Sequence, residues 1–539
     1  MLNGCTRTGR VAVVAAAAVA AAGCGGGGGG GGGGGTGAGP PPDPTYSAGV
    51  YLPATTYAAY CEAPRTGTDP YNNGTPYPDR LGSAVWEKFW LRSWSNAYYL
   101  WYSELPDIDP TLATNTTAAY FNLMKTMALT PSGTMVDRFH FTYPTSQWEA
   151  LSQAGAEVGY GVTFSLISAT PPREALVAYT EPASMGYPAT SAAVNLVRGA
   201  SILTVDGVDL VNSNDQASIN TLNAGLFPSS AGETHTFTVL DPGAASARTI
   251  TMTAVDVTET PVQDVLTVST GTGTVGYLLF NDHIATAESE LVTAIGTLAQ
   301  AGVTDLVLDI RYNGGGYLDI ASELAYMIAG PGPTSGQTFD LITFNDKYPS
   351  TNPITGEPIA PTPFHNVAQG YSLPQGTPLP SLNLPRVFVL TGTDTCSASE
   401  AIVNSLIGVG VQVYLVGSQT CGKPYGFYPQ DNCGTTYFSI EFQGVNAKGQ
   451  GGYSDGFVAA NTTSTSGEQL PGCSVVDDFG HSLGDPNEAR FAAALGYRAS
   501  GAAGCPVPSG LGPRASPLNV DGHVVKPEWL KNRILRHPH

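Results

Sequence analysis

Charged residues are scarce in this chain of 539 residues, of which 12% are Asp, Glu, Lys or Arg. Acidic residues outnumber basic ones by 43 to 23, and no segment gathers Lys and Arg into a basic face. Nucleic acid is therefore excluded as an expected partner, because binding a phosphate backbone needs concentrated positive charge. No apolar run after residue 23 is long enough to cross a membrane. The composition, 42% hydrophobic, predicts a soluble multidomain globular protein.

Metal-ligand spacing is also lacking, so we expect no metal and no cofactor. The eight histidines form no cluster, and the eight cysteines include no C-x-x-C pair. Six cysteines remain when Cys5 in the leader and Cys24 are set aside, and an even number in an exported chain predicts disulfides of undetermined connectivity. Nearness in sequence favours two pairs, Cys421 with Cys433 and Cys473 with Cys505.

The N-terminus has the pattern of an export signal. Two arginines precede the apolar run Val11–Ala22, and A-A-G-C ends at Cys24. Small residues directly before a cysteine resemble a bacterial lipobox, which predicts a signal peptide over 1–23 and acylation of Cys24. The alternative is an ordinary signal peptide cut nearby. The glycine- and proline-rich stretch 24–46 cannot bury a core and predicts a flexible tether.

The rest of the chain divides by its hydrophobic periodicity. A helical, aromatic region is followed by a strand-rich region, then by alternating strands and helices, which predict an α/β unit. Helices are predicted at Ala118–Met127 and from a cap at Asp485–Glu488 to Leu495, and a strand at Thr435–Phe442. The predicted boundaries are 47–151, 152–258, 259–505 and a C-terminal extension, 506–539, without a recognisable motif.

The segment Val387–Lys423 reads as strand, polar turn, helix, strand and glycine-flanked lysine. Ser397 would begin the helix, where unpaired N–H groups and the helix dipole stabilise an oxyanion. Lys423 could serve as its base if burial lowers its pKa by several units from the solvated value of about 10.4. The alternative for S-A-S-E is a capping box between Ser397 and Glu400 without catalysis.

A second segment, Leu306–Gly316, ends in D-I-R-Y-N-G-G-G. Glycine there allows backbone to approach a reacting carbonyl closely. The alternative is a glycine-rich turn between a strand and a helix.

Together, S-A-S-E, the following G-K and D-I-R-Y-N-G-G-G resemble the S41 serine peptidases, the C-terminal processing or tail-specific protease family. The resemblance implies a ClpP/crotonase-like α/β catalytic core. It also implies Ser397 as nucleophile, Lys423 as base, and the amides of Gly315 and Ala398 as oxyanion hole. One position departs from the family, because many members have Gln or Glu where this chain has Phe427.

The strand-rich region resembles a PDZ domain. Its R-G-A-S-I-L-T-V-D-G segment, within Val197–Val208, is similar to a PDZ signature, and a G-Y-G-V loop precedes it. The resemblance implies that the loop binds the free C-terminus of a peptide that adds a strand to the sheet. The alternative is an ordinary β-hairpin with an Asp-Gly turn. The loop residues are Gly159, Tyr160, Gly161 and Val162.

Two other nucleophiles compete with Ser397. Gly480–Gly484 matches the G-x-S-x-G elbow of α/β-hydrolases, but no predicted strand enters Ser482 and the next helix starts later, so we interpret the match as chance. Cys396 lacks a histidine in a recognisable partner motif.

The sequence thus predicts an exported serine endopeptidase, tethered to a bacterial membrane and facing the periplasm or the cell surface. Its partners would be polypeptides docked through free, apolar C-termini. The alternative is a peptide- or ligand-binding protein on the same scaffold without turnover.

If Cys24 is acylated, the protein partitions with membranes, and Cys24→Ser releases it to the soluble fraction. Fractionation after expression of both forms measures this. A wild-type protein already soluble after export would contradict the lipoprotein prediction.

Overall fold

The computed structural model describes residues 39–112, 115–508, 518, 520–525 and 533–535. The predicted signal peptide, Cys24 and most of the predicted tether lie outside these residues. Among the residues described, no helix combines the length and apolarity that crossing a membrane requires.

Aromatic packing organises the N-terminal region. Trp90 and Trp94 stack with ring centroids 5.2 Å apart on one helix. The helix predicted to reach Met127 is wrong in length and ends at Phe121, because the Thr126 N–H donates to the buried Tyr99 hydroxyl at 2.9 Å. The elements are β1 (Tyr60–Cys61), β2 (Thr68–Asp69), β3 (Thr75–Pro76), β4 (Arg80–Leu81), α1 (Ala84–Tyr98), α2 (Thr117–Phe121), β5 (Phe141–Pro144) and α3 (Thr145–Ala154).

An antiparallel sheet follows, with Asp206 and Gly207 in the left-handed conformation at one hairpin turn. The elements are β6 (Ala156–Gly159), β7 (Val162–Ser168), β8 (Glu174–Thr180), β9 (Ser201–Val205), β10 (Val208–Asp209), α4 (Gln216–Leu226), β11 (Thr234–Leu240), β12 (Arg248–Thr253) and β13 (Val255–Thr258). The strand order is β12-β11-β9-β8-β7, and α4 packs against it through Leu222. We call this unit the β7–β12 sheet.

The third region contains a sheet that is mainly parallel and covered on both faces. The elements of this region are β14 (Val262–Thr270), β15 (Gly273–Phe280), α5 (Ala287–Gln300), β16 (Asp305–Asp309), β17 (Gly315–Tyr317), α6 (Leu318–Ala329), α7 (Pro331–Thr334), β18 (Thr338–Thr343), β19 (Thr362–Pro363), β20 (Arg386–Thr391), α8 (Ala398–Gly408), β21 (Gln412–Gly417), β22 (Tyr425–Gly426), β23 (Gln430–Asn432), β24 (Thr435–Phe438), β25 (Phe442–Val445), β26 (Phe457–Ala459), β27 (Glu468–Leu470), β28 (Gly472–Ser474) and α9 (Ala489–Ser500). The C-terminal extension contributes β29 (His523–Val525) and β30 (Arg533–Leu535).

The central sheet has the order β14-β15-β16-β20-β21-β28, with β14 antiparallel to β15 and the other pairs parallel. Helices α5, α6 and α8 pack on one face and α9 on the other. Burial on both faces explains why β16 and β20 read as continuous apolar runs. The α/β multidomain fold class predicted from the sequence is confirmed.

Two predicted elements differ. The strand predicted at Thr435–Phe442 is divided into β24, which pairs with β5, and β25, which pairs with β18 and β22. Helix α9 begins directly after its predicted cap, where the Glu488 carboxylate accepts the Phe491 N–H at 3.0 Å, but it continues past the predicted end at Leu495 to Ser500. Ser482 lies in an exposed turn with no strand leading into it, as expected for a chance match.

Within the described part of the chain, three disulfides join cysteines that are 25, 32 and 372 residues apart. The predicted Cys473–Cys505 pair is confirmed. The predicted partner of Cys421 is wrong, because Cys421 pairs with Cys396 and Cys433 pairs with Cys61. With its sulfur in a disulfide, Cys396 is not a free nucleophile.

A buried ion network joins the β7–β12 sheet to the central sheet. Arg311 contacts Asp309 and Glu488 at 2.8 Å and Asp477 at 2.7 Å, and is fully buried. Arg198, from the segment Val197–Val208, contacts the same Asp477 at 2.7 Å. Burial alone would raise the pKa of Asp477, but the neighbouring guanidinium groups hold it well below its usual range.

Replacing Arg311 with Met should lower the free energy of unfolding by about 3–5 kcal/mol, because three buried carboxylates lose a shared cation. The matched control is Arg386→Met, whose side chain is 35% exposed and whose partner Asp305 also pairs with Arg498. Its loss should be about 0–1 kcal/mol in urea denaturation. Equal losses in the two variants would contradict this account of the network.

Candidate active site

Ser397 lies in a strained turn between β20 and α8. Its backbone has φ 61° and ψ −116°, outside the regions that most side chains adopt, while Ala398 begins the helix. Such strain costs about 1–3 kcal/mol and concentrates at functional sites. Two hydrogen bonds join this turn to the residues that follow β16. The Cys396 N–H donates to Asn313 O at 3.1 Å, and the Thr395 hydroxyl donates to Ile310 O at 2.8 Å.

The Ser397 hydroxyl is fully buried and has no hydrogen-bond partner among the described residues. An unsatisfied buried hydroxyl costs about 1–3 kcal/mol. The Ala398 N–H is the first of α8, so it has no acceptor within the helix. The sequence-predicted nucleophile and one predicted oxyanion donor therefore share the N-terminus of one helix.

Lys423 is also completely buried, in the loop after β21. Its ammonium nitrogen lies 4.1 Å from the centroid of the Phe427 ring and 5.1 Å from that of Phe139. Phe427, the position that departs from the family pattern, therefore contacts the amine directly. Removal from water disfavours a charged ammonium, whereas ring faces attract it.

Glu400 connects the serine helix with the lysine loop. Its carboxylate accepts the N–H groups of Ser397 at 3.0 Å, and of Gly422 and Lys423 at 2.8 Å. The Thr420 hydroxyl donates to it at 2.5 Å. Burial raises the pKa of the Glu400 carboxyl, and these hydrogen bonds oppose that shift.

The Cys396–Cys421 disulfide makes a second connection between the same two segments, one residue before Ser397 and two before Lys423. The Cys421 N–H donates to Thr395 O at 3.0 Å, and Arg138 donates to Cys421 O. The ligand atoms of Cys396, Glu400 and Cys421 lie within 4.8 Å of one another, but both sulfurs are consumed in the disulfide. This cluster is therefore structural and does not have the chemistry of a metal site.

Gly315, the other predicted oxyanion donor, begins β17 with φ 95°, a conformation that favours glycine. Its N–H donates to Asn313 Oδ1 at 3.0 Å. Asn313 also contacts His283 Nδ1 at 2.9 Å and donates to Phe280 O at 3.0 Å. Asn313 thus fixes the end of β16 against both β17 and the Ser397 turn.

A cavity of about 510 Å³ lies against the lysine loop. Arg138, Thr420 and Cys421 line one part of it, and Thr393 and Asp394, from the turn before Ser397, line another. Its position beside both segments makes it a candidate entry for a substrate.

The predicted peptide-binding loop lies in the β7–β12 sheet, at the entry to β7. Gly159, Tyr160 and Val162 line a cavity of about 650 Å³ together with Leu226 at the end of α4. Gly161 has φ +74°, and a Cβ there would lie 2.6 Å from Tyr187 Cβ, so only glycine fits. The Tyr160 ring is buried, and its hydroxyl donates to Gly225 O at 2.8 Å.

Some residues of the site were not identified from the sequence, and Glu400 was considered there only as the capping-box partner of Ser397. The S-x-x-E pattern contained the signal for Glu400, since a capping box brings its carboxylate to the Ser397 N–H. Asn313 stands within the glycine motif. Arg138 and Phe139 come from the distant N-terminal region, and no local pattern indicates them.

Comparison with known proteins gives a consistent assignment. The model of peptidase family S41 matches residues 274–427. A carboxyl-terminal-processing protease of Picosynechococcus sp. (strain ATCC 27264 / PCC 7002 / PR-6) is 29% identical over 228 residues, which are 41% of this chain and 45% of that protein. The chain thus spans less than half the length of the curated relative it matches.

One solved structure supports the fold, and a second is a more distant match. A crystal structure designated an S41 protease of Bacteroides fragilis has a TM-score of 0.56 at 21% identity, and the match covers 78% of this chain and 98% of that one. A photosystem II D1 C-terminal processing protease has a TM-score of 0.40 at 19% identity, with 72% and 94% covered.

Glu400→Gln should loosen the lysine loop, because an amide offers one acceptor oxygen and places a donor among N–H groups. We expect the free energy of unfolding to fall by about 1–3 kcal/mol and the Gly422 and Lys423 amides to exchange faster. Glu288→Gln is the matched control, since that buried carboxylate accepts four backbone N–H groups elsewhere.

The control should lose similar stability without changing exchange at Gly422 and Lys423. Unchanged exchange of these two amides in Glu400→Gln would refute the connecting role of Glu400.

Proposed function

We propose that this chain, whose residues 274–427 match the model of peptidase family S41, is a serine endopeptidase that cleaves exported polypeptides. The observation that carries the proposal is the shared anchoring of Ser397 and Lys423 by Glu400. One carboxylate accepts the backbone N–H of both residues, at 3.0 and 2.8 Å. A nucleophile and its base need such fixed relative placement, because catalysis by positioned groups depends on geometry first.

In the proposed mechanism the Ser397 oxygen attacks the carbonyl carbon of the scissile peptide bond. Its proton passes to the neutral amine of Lys423, which then donates it to the leaving amino group. An acyl-enzyme forms, and water attacks it with Lys423 again acting as base. The serine regains its proton when the acyl group leaves.

The tetrahedral oxyanion would be stabilised by backbone N–H groups. Ala398, first in α8, contributes one of them without rearrangement. The Gly315 N–H donates to Asn313 Oδ1 in this structure, so its contribution requires the peptide group to turn from Asn313 towards the substrate. The left-handed φ of Gly315 supports such freedom, because glycine has no side chain to obstruct it.

Substrate docking is proposed for the β7–β12 sheet, interpreted as a PDZ-like domain. An extended peptide would add to the sheet, and its terminal carboxylate would face the Gly159–Val162 loop. The cavity of about 650 Å³ beside this loop has room for an apolar terminal side chain. Export and membrane tethering through Cys24 complete the proposal and place its substrates outside the cytoplasm.

Ser397→Ala, Lys423→Ala and Lys423→Arg should each reduce kcat/KM on a peptide library by at least about a thousandfold. Alanine removes the nucleophile or the base, and guanidinium does not release its proton. Circular dichroism and urea denaturation verify that each variant folds.

The matched controls are Ser482→Ala, at the exposed G-x-S-x-G serine, and Lys448→Ala, an exposed lysine. Both should retain full activity. Full activity in Lys423→Ala would refute the dyad, and a wild type that binds peptides without ever cleaving them would favour the non-catalytic alternative.

A further inference from the structure

The C-terminal extension adds a strand to the β7–β12 sheet. β29 pairs with the edge of β7 that β8 leaves open, antiparallel, with His523 opposite Leu166 and Val525 opposite Phe164. The added strand therefore runs towards the Gly159–Val162 loop, which leads from β6 into β7.

This direction is the one in which a docked peptide would present its C-terminal end to the loop. Phe164, opposite Val525, also lines the cavity of about 650 Å³. The paired residues thus end where the cavity begins. The chain itself occupies the part of the edge along which a peptide would lie.

Side-chain and backbone contacts hold residues 520–525 in place. Val524 and Val520 are only 1% and 5% exposed, in an apolar cluster with Tyr179 and Tyr312. The Val524 N–H donates to Asp394 Oδ2 at 2.7 Å. Because neighbouring N–H groups of a strand point to opposite sides, those at 523 and 525 face β7.

The same residues also contact the region that contains the central sheet. The Asp521 carboxylate accepts from Arg490 at 2.6 Å, from the Ser418 hydroxyl at 2.5 Å and from the Asp477 N–H at 3.1 Å. Thr393 donates to Gly522 O at 3.2 Å. Thr393 and Asp394 belong to the turn that leads to Ser397, so the segment contacts both candidate sites.

A second pairing lies beside the site. The backbone of β30, Arg533–Leu535, runs parallel to β17 and pairs with Gly315–Tyr317. The extension therefore covers the strand whose first amide is the proposed oxyanion donor, as well as the edge of β7.

We propose that residues 520–525 are an internal ligand of the β7 edge, and that this structure is a self-occupied form of the protein. A peptide docks along the whole edge only after this segment leaves it. The inference rests on the proposed function, since it takes the β7 edge as the docking surface for a polypeptide substrate. The occupant is this chain's own segment, whose register and anchoring are described above.

The test compares His523→Pro with His523→Ala, both in a Ser397→Ala background that prevents cleavage. Proline removes the N–H that faces β7, whereas alanine keeps it. Both substitutions remove the His523 side chain, which is 67% exposed and whose Nδ1 lies 3.3 Å from Asp394 Oδ1. In His523→Pro the β7 amides should exchange about tenfold faster, as for one lost ladder hydrogen bond. A fluorescein-labelled peptide with the sequence of residues 518–525 should bind His523→Pro at least about tenfold more tightly than it binds His523→Ala, as measured by fluorescence anisotropy.

Val524→Asp provides a second release variant if the proline variant does not fold, because a carboxylate is costly in the apolar cluster. Its control is Val507→Asp, at a valine that is 70% exposed. Equal β7 exchange and equal peptide binding in release and control variants would overturn the proposal, as would peptide binding at a site other than β7. Neither readout needs turnover, so failure of the proposed peptidase activity would appear separately, as absence of cleavage by the protein that retains Ser397.

Discussion

The candidate site depends on one buried carboxylate. Burying the Glu400 carboxyl group is costly unless hydrogen-bond donors surround it. The donors come from the turn of Ser397 and from the loop Thr420–Lys423. A shift of either segment would remove part of the hydrogen bonds that satisfy this buried carboxyl group. This constraint explains how the unfavourable φ of Ser397 persists, because strained backbone survives only where its surroundings determine it completely.

The candidate site forms where two neighbouring parallel strands of the central sheet end. β20 and β21 are neighbours and run in the same direction, so the residues after each strand emerge side by side. Cys396 follows β20 and Cys421 follows β21, and their disulfide is a direct result of this topology. Sequence distance alone favoured Cys433 as partner of Cys421 and gave the wrong pair. For Cys473 and Cys505, nearness in sequence gave the right pair.

Patterns of neighbouring residues in the sequence predicted the elements whose formation depends on those residues themselves. Apolar runs located β16, β20 and β21, and an N-cap serine located α8. They failed where tertiary contacts decide, as when the Tyr99 hydroxyl takes the Thr126 N–H that a longer helix would need. The three-way contact of Arg198, Asp477 and Arg311 likewise joins residues far apart in sequence. Through it the β7–β12 sheet is linked to the strand end that leads to Gly315.

The Cys61–Cys433 disulfide determines how late in synthesis the N-terminal region can close onto the rest of the protein. Its cysteines are 372 residues apart, and β5 beside it pairs with β24 from the same distant part of the chain. At the usual rates of synthesis Cys61 exists for roughly 20 to 75 s before its partner is made. Cys396 and Cys421 are made during that interval. The N-terminal region therefore completes its closure onto the core only after the chain has grown past β24.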